Sequence, residues 1–240
     1  MNEELIVCIP GPWESRTAFL EALIPTTRGE FMFAGMLLAH PKGNDHVQMD
    51  FFEPYDQMAE AFSYAGQGKL SQETLSRIAR HRSVVYLHFP LDIASQQSRV
   101  LKFTDVIRQC GGIAVKLESS GIAHEWDRWF SLLRSENPFD TYCATTVLIA
   151  DQEHYYSCGM HHFGLPDAQI PRTFDAEDAA DLLNQFNYYR ILEKPVLESG
   201  HTFSLTTDSP RYRLELLMDH RHPEDDLFHN PHGLWNLTRV

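Results

Sequence analysis

The sequence predicts an α+β protein built from two ferredoxin-like halves. Short apolar runs alternate with amphipathic stretches, and residues 1–110 follow the order strand, helix, strand, strand, helix, strand. A similar order returns after residue 111. We therefore expect a first half at 1–110, including a linking helix at 91–110, and a second half at 111–240 that ends in a histidine-rich tail. The two halves would pack as one pseudo-symmetric unit.

The elements of the first half are predicted from apolar spacing and from Pro and Gly breakers. Strands are expected at 5–9, 31–39, 47–52 and 83–88, and helices at 15–23, 56–64, from Ser71 onward and at 91–110. Ser71 is the expected N-cap of its helix, because the acidic Glu73 follows it in the first turn. Gly111 and Gly112 end the linking helix.

The second half repeats this order in outline. Strands are expected at 112–117, 142–150, 154–163, 201–205 and 212–218, and helices at 123–133 and 175–189. The pair 142–163 is weakly similar to 31–52, which favours an internal duplication; the alternative is two unrelated α+β segments. The tail at 219–235 contains large apolar residues, so we expect it to be ordered and irregular.

Charge and composition narrow the class of protein. The net charge is −13, and residues 111–240 hold 20 acidic but only 10 basic residues. Without a basic cluster, neither nucleic-acid binding nor binding to anionic membranes is expected. The acidic, briefly apolar N-terminus and the lack of a long apolar run indicate a cytoplasmic protein. The 4 cysteines are too few and too widely spaced for a disulfide framework.

Cys158, His161 and His162 form the sequence's Cys-x-x-His-His cluster. On a continuous strand, Cys158 and His162 would share a face but lie about 13 Å apart, at about 3.3 Å per residue. One tetrahedral ion cannot hold both, so the trio is a chelate only if Gly159 breaks the strand. The alternative is a core thiol beside two polar histidines.

His220 and His222 have the His-x-His spacing that zinc enzymes use. On an extended strand they would continue the apolar face of Tyr212, Leu214, Leu216 and Met218, and a nearby carboxylate could complete a site. His220, His222, His162 and Cys158 are therefore the candidate metal ligands, for zinc or another divalent transition metal. The alternative is a hydrogen-bonded histidine rim that docks the tail. Any site is expected between the hairpin 142–163 and the tail.

Nucleophilic chemistry has one weak candidate, Ser119-Ser120-Gly121 with His124, which lacks the G-x-S-x-G pattern. A serine before a helix is more often an N-cap. No catalytic residue is assigned.

Eight stretches together resemble an uncharacterised bacterial family catalogued as a domain of unknown function. They are IPGPW (9–13), FAGMLL (33–38), HRSVVYL (81–87), AVKLESSGIAH (114–124), YYSCGMHHFGLPDA (155–168), HTFSL (201–205), DSPRYRL (208–214) and HPEDDLFHNPHGLW (222–235). The resemblance implies a soluble bacterial protein, suggests a toxin-immunity or stress context, and assigns no activity.

Three functions remain open from the sequence. The first is a binding protein for a protein or small ligand, with a homodimer formed through sheet or helix faces as one expected assembly. The second is a metal-dependent hydrolase that uses a metal-bound water at the His-x-His site. The third is an immunity protein whose acidic second half covers a basic toxin.

Overall fold

The computed structural model describes residues 4–240 and is a mixed α+β structure with seven α-helices and two mostly antiparallel sheets within that range. The chain divides into two compact units, an N-terminal unit at Glu4–Arg134 and a C-terminal unit that begins at Ser135 and ends at Val240. Within the described range, no helix combines the length and apolar character needed to cross a bilayer.

The N-terminal unit is a seven-stranded sheet with its helices. Its elements are β1 (Glu4–Gly11), α1 (Arg16–Thr26), β2 (Met32–Ala34), β3 (Leu37–His40), a 3-10 helix (Pro41–Gly43), β4 (Asp45–Phe52), α2 (Met58–Gly66), α3 (Gln72–Ile78), β5 (Ser83–Pro90), α4 (Ile93–Gln109), β6 (Val115–Leu117), β7 (Ile122–His124) and α5 (Trp126–Arg134). The predicted cap is confirmed: the Ser71 hydroxyl accepts a hydrogen bond from the Thr74 amide at 3.1 Å.

The ferredoxin-like order of the first half is not confirmed. The strand order is β2-β3-β4-β5-β1-β6-β7, and every neighbouring pair is antiparallel. A ferredoxin-like unit places its first strand beside its third, whereas here β5 lies between β1 and β4. The predicted strand 31–39 is two strands, because the chain turns at Gly35, where φ is 60°, and Met32 pairs with Ala39.

The predicted division at residue 110 differs from the division of the structure. β6 and β7 belong to the first sheet, with Cys8 opposite Lys116 and Val7 opposite Leu117. The segment after Gly111 therefore completes the N-terminal sheet instead of opening a second copy of it.

The C-terminal unit is a six-stranded sheet with a long helix on one face. Its elements are α6 (Pro138–Thr145), β8 (Val147–Ala150), β9 (His154–Cys158), a 3-10 helix (Met160–Phe163), β10 (Asp167–Pro171), α7 (Ala176–Glu193), β11 (Thr202–Phe203), β12 (Tyr212–Leu217) and β13 (Leu234–Arg239). The strand order is β11-β12-β13-β10-β9-β8, and β10 and β13 are parallel. The core between α7 and the sheet contains Ile170, Leu183, Phe186, Leu214 and Trp235.

The strand predicted at 142–150 is half helix. Asn137 caps α6 by accepting a hydrogen bond from the Phe139 amide at 3.0 Å, and Pro138 occupies the first turn. Both residues are common at helix starts, so the helix extends to Thr145 before the strand begins. The pseudo-duplicate architecture is accordingly not confirmed, since the C-terminal unit starts with a helix and contains a parallel strand pair.

Candidate functional site

A cleft of about 420 Å³ opens in the C-terminal unit beside the turn that joins β8 to β9. Its lining comes from that turn, from the middle of the sheet and from the chain just after β12. The lining residues are Asp151, Glu153, His154, Gln169, Leu217, Met218, His220, Arg221 and Leu234. Clefts of roughly 300–1,000 Å³ that combine apolar walls with a few polar groups are typical binding sites.

The turn beside the cleft is held by Asp151. One oxygen of its carboxylate accepts hydrogen bonds from the amides of Glu153 at 2.7 Å and His154 at 2.6 Å, an Asx-type turn. Burial raises the pKa of Asp151, but these hydrogen bonds and the Arg221 guanidinium outweigh it and bring the pKa below its ordinary value. Asp151 is therefore a carboxylate at neutral pH.

Arg221 lies at the boundary between the cleft and a second, smaller cavity. Its guanidinium carbon is 4.4 Å from the centre of the Tyr156 ring, and its Nε is 3.3 Å from Asp151 Oδ2. A terminal nitrogen donates to the side-chain oxygen of Gln169. One cation thus contacts an aromatic face, a carboxylate and an amide at the same time.

The smaller cavity has a volume of about 10 Å³, roughly the space of one water molecule. Its lining residues are Tyr156, Ser157, Cys158, Asp167, Asp219, Arg221, His222, Phe228 and Leu234. The environment is acidic: burial raises the pKa of the Cys158 thiol, and the carboxylates of Asp167, Asp219 and Asp226 raise it further. Cys158 is therefore a protonated thiol at neutral pH.

Asp167 is the buried centre of the polar network next to this cavity. Its Oδ1 accepts hydrogen bonds from the Ser157 hydroxyl at 3.0 Å and the Met160 amide at 3.2 Å, and its Oδ2 accepts one from Asn230 Nδ2 at 2.6 Å. Burial raises the pKa of Asp167 to about 6, although these hydrogen bonds and Arg190 act in the opposite direction. Through Asn230, this carboxylate ties the chain before β13 to the sheet.

Arg190 of α7 is the buried cation of the same unit. It is 2% exposed and donates to the Pro166 carbonyl at 2.7 Å and to Asn187. Burial lowers its pKa to about 10, while Asp167 and Tyr142 raise it. The pair of Asp167 and Arg190 places opposite charges in the core, where each lowers the cost of burying the other.

The candidate metal ligands lie in three different environments. His162 is fully buried, its Nδ1 is 3.1 Å from the Thr145 carbonyl oxygen, and burial with the adjacent His161 brings its pKa well below the ordinary value. His220 lines the cleft, whereas Cys158 and His222 line the smaller cavity. Cys158 and His222 are thus the two candidates that the fold brings to one cavity.

Gly159 does break the strand, as a chelating trio would require. Its φ is 125°, a value that side chains disfavour, and the 3-10 helix Met160–Phe163 follows. Across residues 4–240, however, no group of three or more His, Cys, Asp or Glu side chains has an arrangement that could hold a metal ion.

The extended strand expected to carry His220 and His222 ends at Leu217. Met218 is 69% exposed, so the apolar inward face does not continue to the histidines. The side chain of His229 instead holds this segment, with its Nδ1 3.0 Å from the His222 carbonyl oxygen.

The serine candidates of the N-terminal unit are buried in the turn between β6 and β7. Ser119, Ser120 and His124 are between 0% and 3% exposed. The turn is followed by β7 instead of a helix, so the N-cap interpretation was wrong.

Sequence reasoning missed Asp151, Tyr156, Asp167, Gln169 and Arg221. Asp167 and Gln169 lie in β10, a strand that is absent from the sequence prediction. The alternation of polar and apolar residues from Asp167 to Ile170 is the signal that could have located it. Arg221 lies between His220 and His222, so on an extended strand it would lie on the opposite face from both, but the strand ends at Leu217.

A family model described as a domain of unknown function, DUF4261, matches residues 156–223. The match begins in β9 and ends just after Arg221, so it contains most of the residues around the two cavities. It confirms the resemblance to a family of unknown function over less than a third of the chain. Searches of curated proteins and of solved structures found no match.

Proposed function

We propose that this protein is a cytoplasmic binding protein whose C-terminal unit receives a positively charged segment of a partner protein in the cleft. The observation that carries the proposal is the cleft itself, in which the carboxylates of Asp151 and Glu153 lie beside apolar side chains. None of the four cysteines forms a disulfide in the described part of the chain, which agrees with a reducing compartment.

Charge supports a basic partner. Residues 135–240 contain 17 acidic and 7 basic residues. Of the basic side chains, Arg190 is buried and Arg221 is paired with Asp151. An acidic surface of this kind speeds encounter with a cationic protein and slows encounter with phosphate backbones or anionic lipids.

The apolar part of the cleft supports a side chain as the ligand. Leu217, Met218 and Leu234 line the cleft, and Met218 is 69% exposed. Lysine and arginine carry an aliphatic stem below a charged head, so they can cover Met218 while they approach Glu153. An immunity protein that covers a basic toxin is the specific form of this function that the sequence suggests.

Binding of a labelled peptide of alternating arginine and glycine, measured by fluorescence anisotropy, tests the proposal. We expect binding that weakens with salt, because the attraction is between exposed charges. Glu153→Gln should weaken it about two- to fivefold, the effect of removing one exposed ion pair worth up to about 1 kcal/mol.

Glu193→Gln is the matched control, because Glu193 is an exposed glutamate of the same unit at the end of α7 and does not line the cleft. If Glu153→Gln and Glu193→Gln lose equal peptide affinity, the peptide responds to the net charge of the protein and not to the cleft. The absence of binding to the wild-type protein at low salt would refute the proposal.

A metal-dependent hydrolase is the second candidate, and one observation favours it. Cys158 and His222 line one cavity with Asp167 and Asp219, and His222 Nε2 is buried there without a hydrogen-bond partner among the described residues. Thiol, imidazole and carboxylate are zinc ligands. This function requires side-chain movements that bring at least one carboxylate into coordination with both, and it requires about one ion per chain.

A further inference from the structure

The contacts of Arg221 form a complete receptor for a guanidinium group. The Tyr156 ring lies under the cation at 4.4 Å, Asp151 supplies a carboxylate oxygen at 3.3 Å, and Gln169 supplies an amide oxygen. Tyr156 and Gln169 are only 8% and 5% exposed, so two of the three groups are fixed by the sheet. These groups are prepositioned by β9, β10 and the Asx turn.

The geometry favours guanidinium over ammonium. A planar guanidinium can stack on an aromatic face while its N–H groups point outward in the plane towards a carboxylate and an amide. An ammonium has the charge of a guanidinium but not its plane, so it cannot make the stacking and in-plane contacts together. Arginine is therefore the matching side chain.

We propose that Asp151, Tyr156 and Gln169 form an arginine-binding site that Arg221 fills in the free protein and that an arginine of the basic partner fills in the complex. The inference rests on the proposed function and deepens it, because it names the group recognised and makes Arg221 an internal competitor.

Arg221 is placed to leave the site without unfolding the unit. It lies in the irregular chain after β12, and its side chain is 20% exposed where it meets Asp151, which is 37% exposed. The backbone is anchored independently, because the Arg221 amide donates to Asp219 Oδ1 at 3.0 Å and the Asn230 amide donates to Asp219 Oδ2 at 3.0 Å. Only the side chain has to swing away.

The cleft gives an incoming side chain direct access to two of the three groups, because Asp151 and Gln169 line it together with Arg221. Tyr156 lines the smaller cavity on the other side of Arg221, so its ring is reached once Arg221 has left. Exchange of one guanidinium for another preserves every contact of the receptor, and the released Arg221 becomes hydrated.

Arg172, which directly follows β10, provides a matched control because it contacts the same turn. Its guanidinium carbon is 4.9 Å from the Tyr155 ring centre, and one of its nitrogens donates to the Asp151 carbonyl. It is exposed and meets neither a carboxylate nor a buried amide in these contacts. Removing Arg172 should therefore leave no receptor behind.

The first experiment uses methylguanidinium as the probe and NMR chemical shifts as the readout. In Arg221→Ala, methylguanidinium should shift the Tyr156 amide and the Gln169 side-chain amide, whereas methylammonium at the same concentration should not. In the wild-type protein and in Arg172→Ala, the same shifts should need about tenfold more probe. If Arg221 fills the site in about nine-tenths of the molecules, only about one-tenth can bind the probe, and the apparent affinity falls about tenfold. Equal responses in the three proteins, or no response in Arg221→Ala, would overturn the inference.

The second experiment uses the arginine–glycine peptide and separates the inference from the proposed function. Arg221→Ala should bind the peptide up to about tenfold more tightly than wild type, and the corresponding lysine–glycine peptide should show no such gain. Wild-type binding that depends on Glu153 but does not improve in Arg221→Ala would leave the proposed function standing and refute the internal competitor. Arg221→Gln, which keeps a polar side chain next to Gln169, repeats the test if the alanine variant does not fold.

Discussion

The buried carboxylate of Asp167 gives a prediction whose sign tests the electrostatics of the C-terminal unit. Burial favours the neutral acid, whereas the donors Ser157, Met160 and Asn230 and the cation Arg190 favour the carboxylate. The net pKa of about 6 against an ordinary 3.8 means that burial prevails. We predict that replacement of Asp167 by Asn removes a pH dependence of stability.

The magnitude follows from proton linkage. The folded protein binds the Asp167 proton more tightly than the unfolded chain, so its contribution to stability is complete below about pH 4 and is lost as pH rises through about 6. The rise of the pKa from 3.8 to about 6 corresponds to about 3 kcal/mol. Relative to wild type, Asp167→Asn should therefore gain most of this difference, about 2 kcal/mol of unfolding free energy, between pH 4 and pH 7.

Urea unfolding followed by fluorine NMR of fluorotryptophan-labelled protein measures this difference. Trp235 reports on the C-terminal unit, because the other three tryptophans, Trp13, Trp126 and Trp129, lie in the N-terminal unit. Comparing variant with wild type at each pH cancels the titration of all other groups. If Asp167→Asn instead loses stability relative to wild type as pH rises, the hydrogen bonds and Arg190 outweigh burial and the reasoning is wrong.

Two further predictions concern the strand break and the smaller cavity. Gly159→Ala should lower the unfolding free energy by about 1–3 kcal/mol, because a φ of 125° is strained for any residue with a Cβ. Chemical unfolding measures the loss, and an unchanged unfolding midpoint would contradict the prediction. If the cleft-binding function is correct, protein purified without a histidine tag should contain less than one zinc, iron or manganese ion per chain by elemental analysis. A stoichiometric metal that is lost in Cys158→Ser and in His222→Ala would favour the hydrolase instead.

Sequence patterns located the elements whose signals are local. The cap predicted at Ser71 and the helix start predicted at residue 175 agree with the structure, in which the Ser71 hydroxyl and the Asp175 carboxylate each accept an amide hydrogen bond. The helix at Pro138–Thr145 has a local start signal in Asn137 and Pro138, but the apolar run after Tyr142 favours a strand over the same residues. Residues at the helix ends therefore specify where these helices begin.

Strand order could not be predicted in the same way. The antiparallel pairing of β5 with β1 and the parallel pairing of β10 with β13 join residues far apart in the chain, for example Leu5 with Phe89 and Asp167 with Leu234. Apolar alternation specifies that a segment is a strand but not which strand lies beside it. The ferredoxin-like prediction depended on the order of elements alone and lacked this information.

The chain leaves the sheet near the candidate site beside Gly233, a glycine whose role the apolar pattern of the sequence does not reveal. Gly233 precedes β13 with φ of 87°, and a Cβ there would lie 2.4 Å from the Leu217 carbonyl oxygen. This close approach marks the end of the β12–β13 pairing at Leu217 and Leu234, so the chain from Met218 leaves the sheet. The same departure separates His220 from His222 and brings Arg221 between them over Tyr156. A strand that continued to His222 would place His220 and His222 on one face, as a His-x-His metal site requires. The loop instead places Arg221 against Tyr156, Asp151 and Gln169, the three groups of the proposed arginine-binding site.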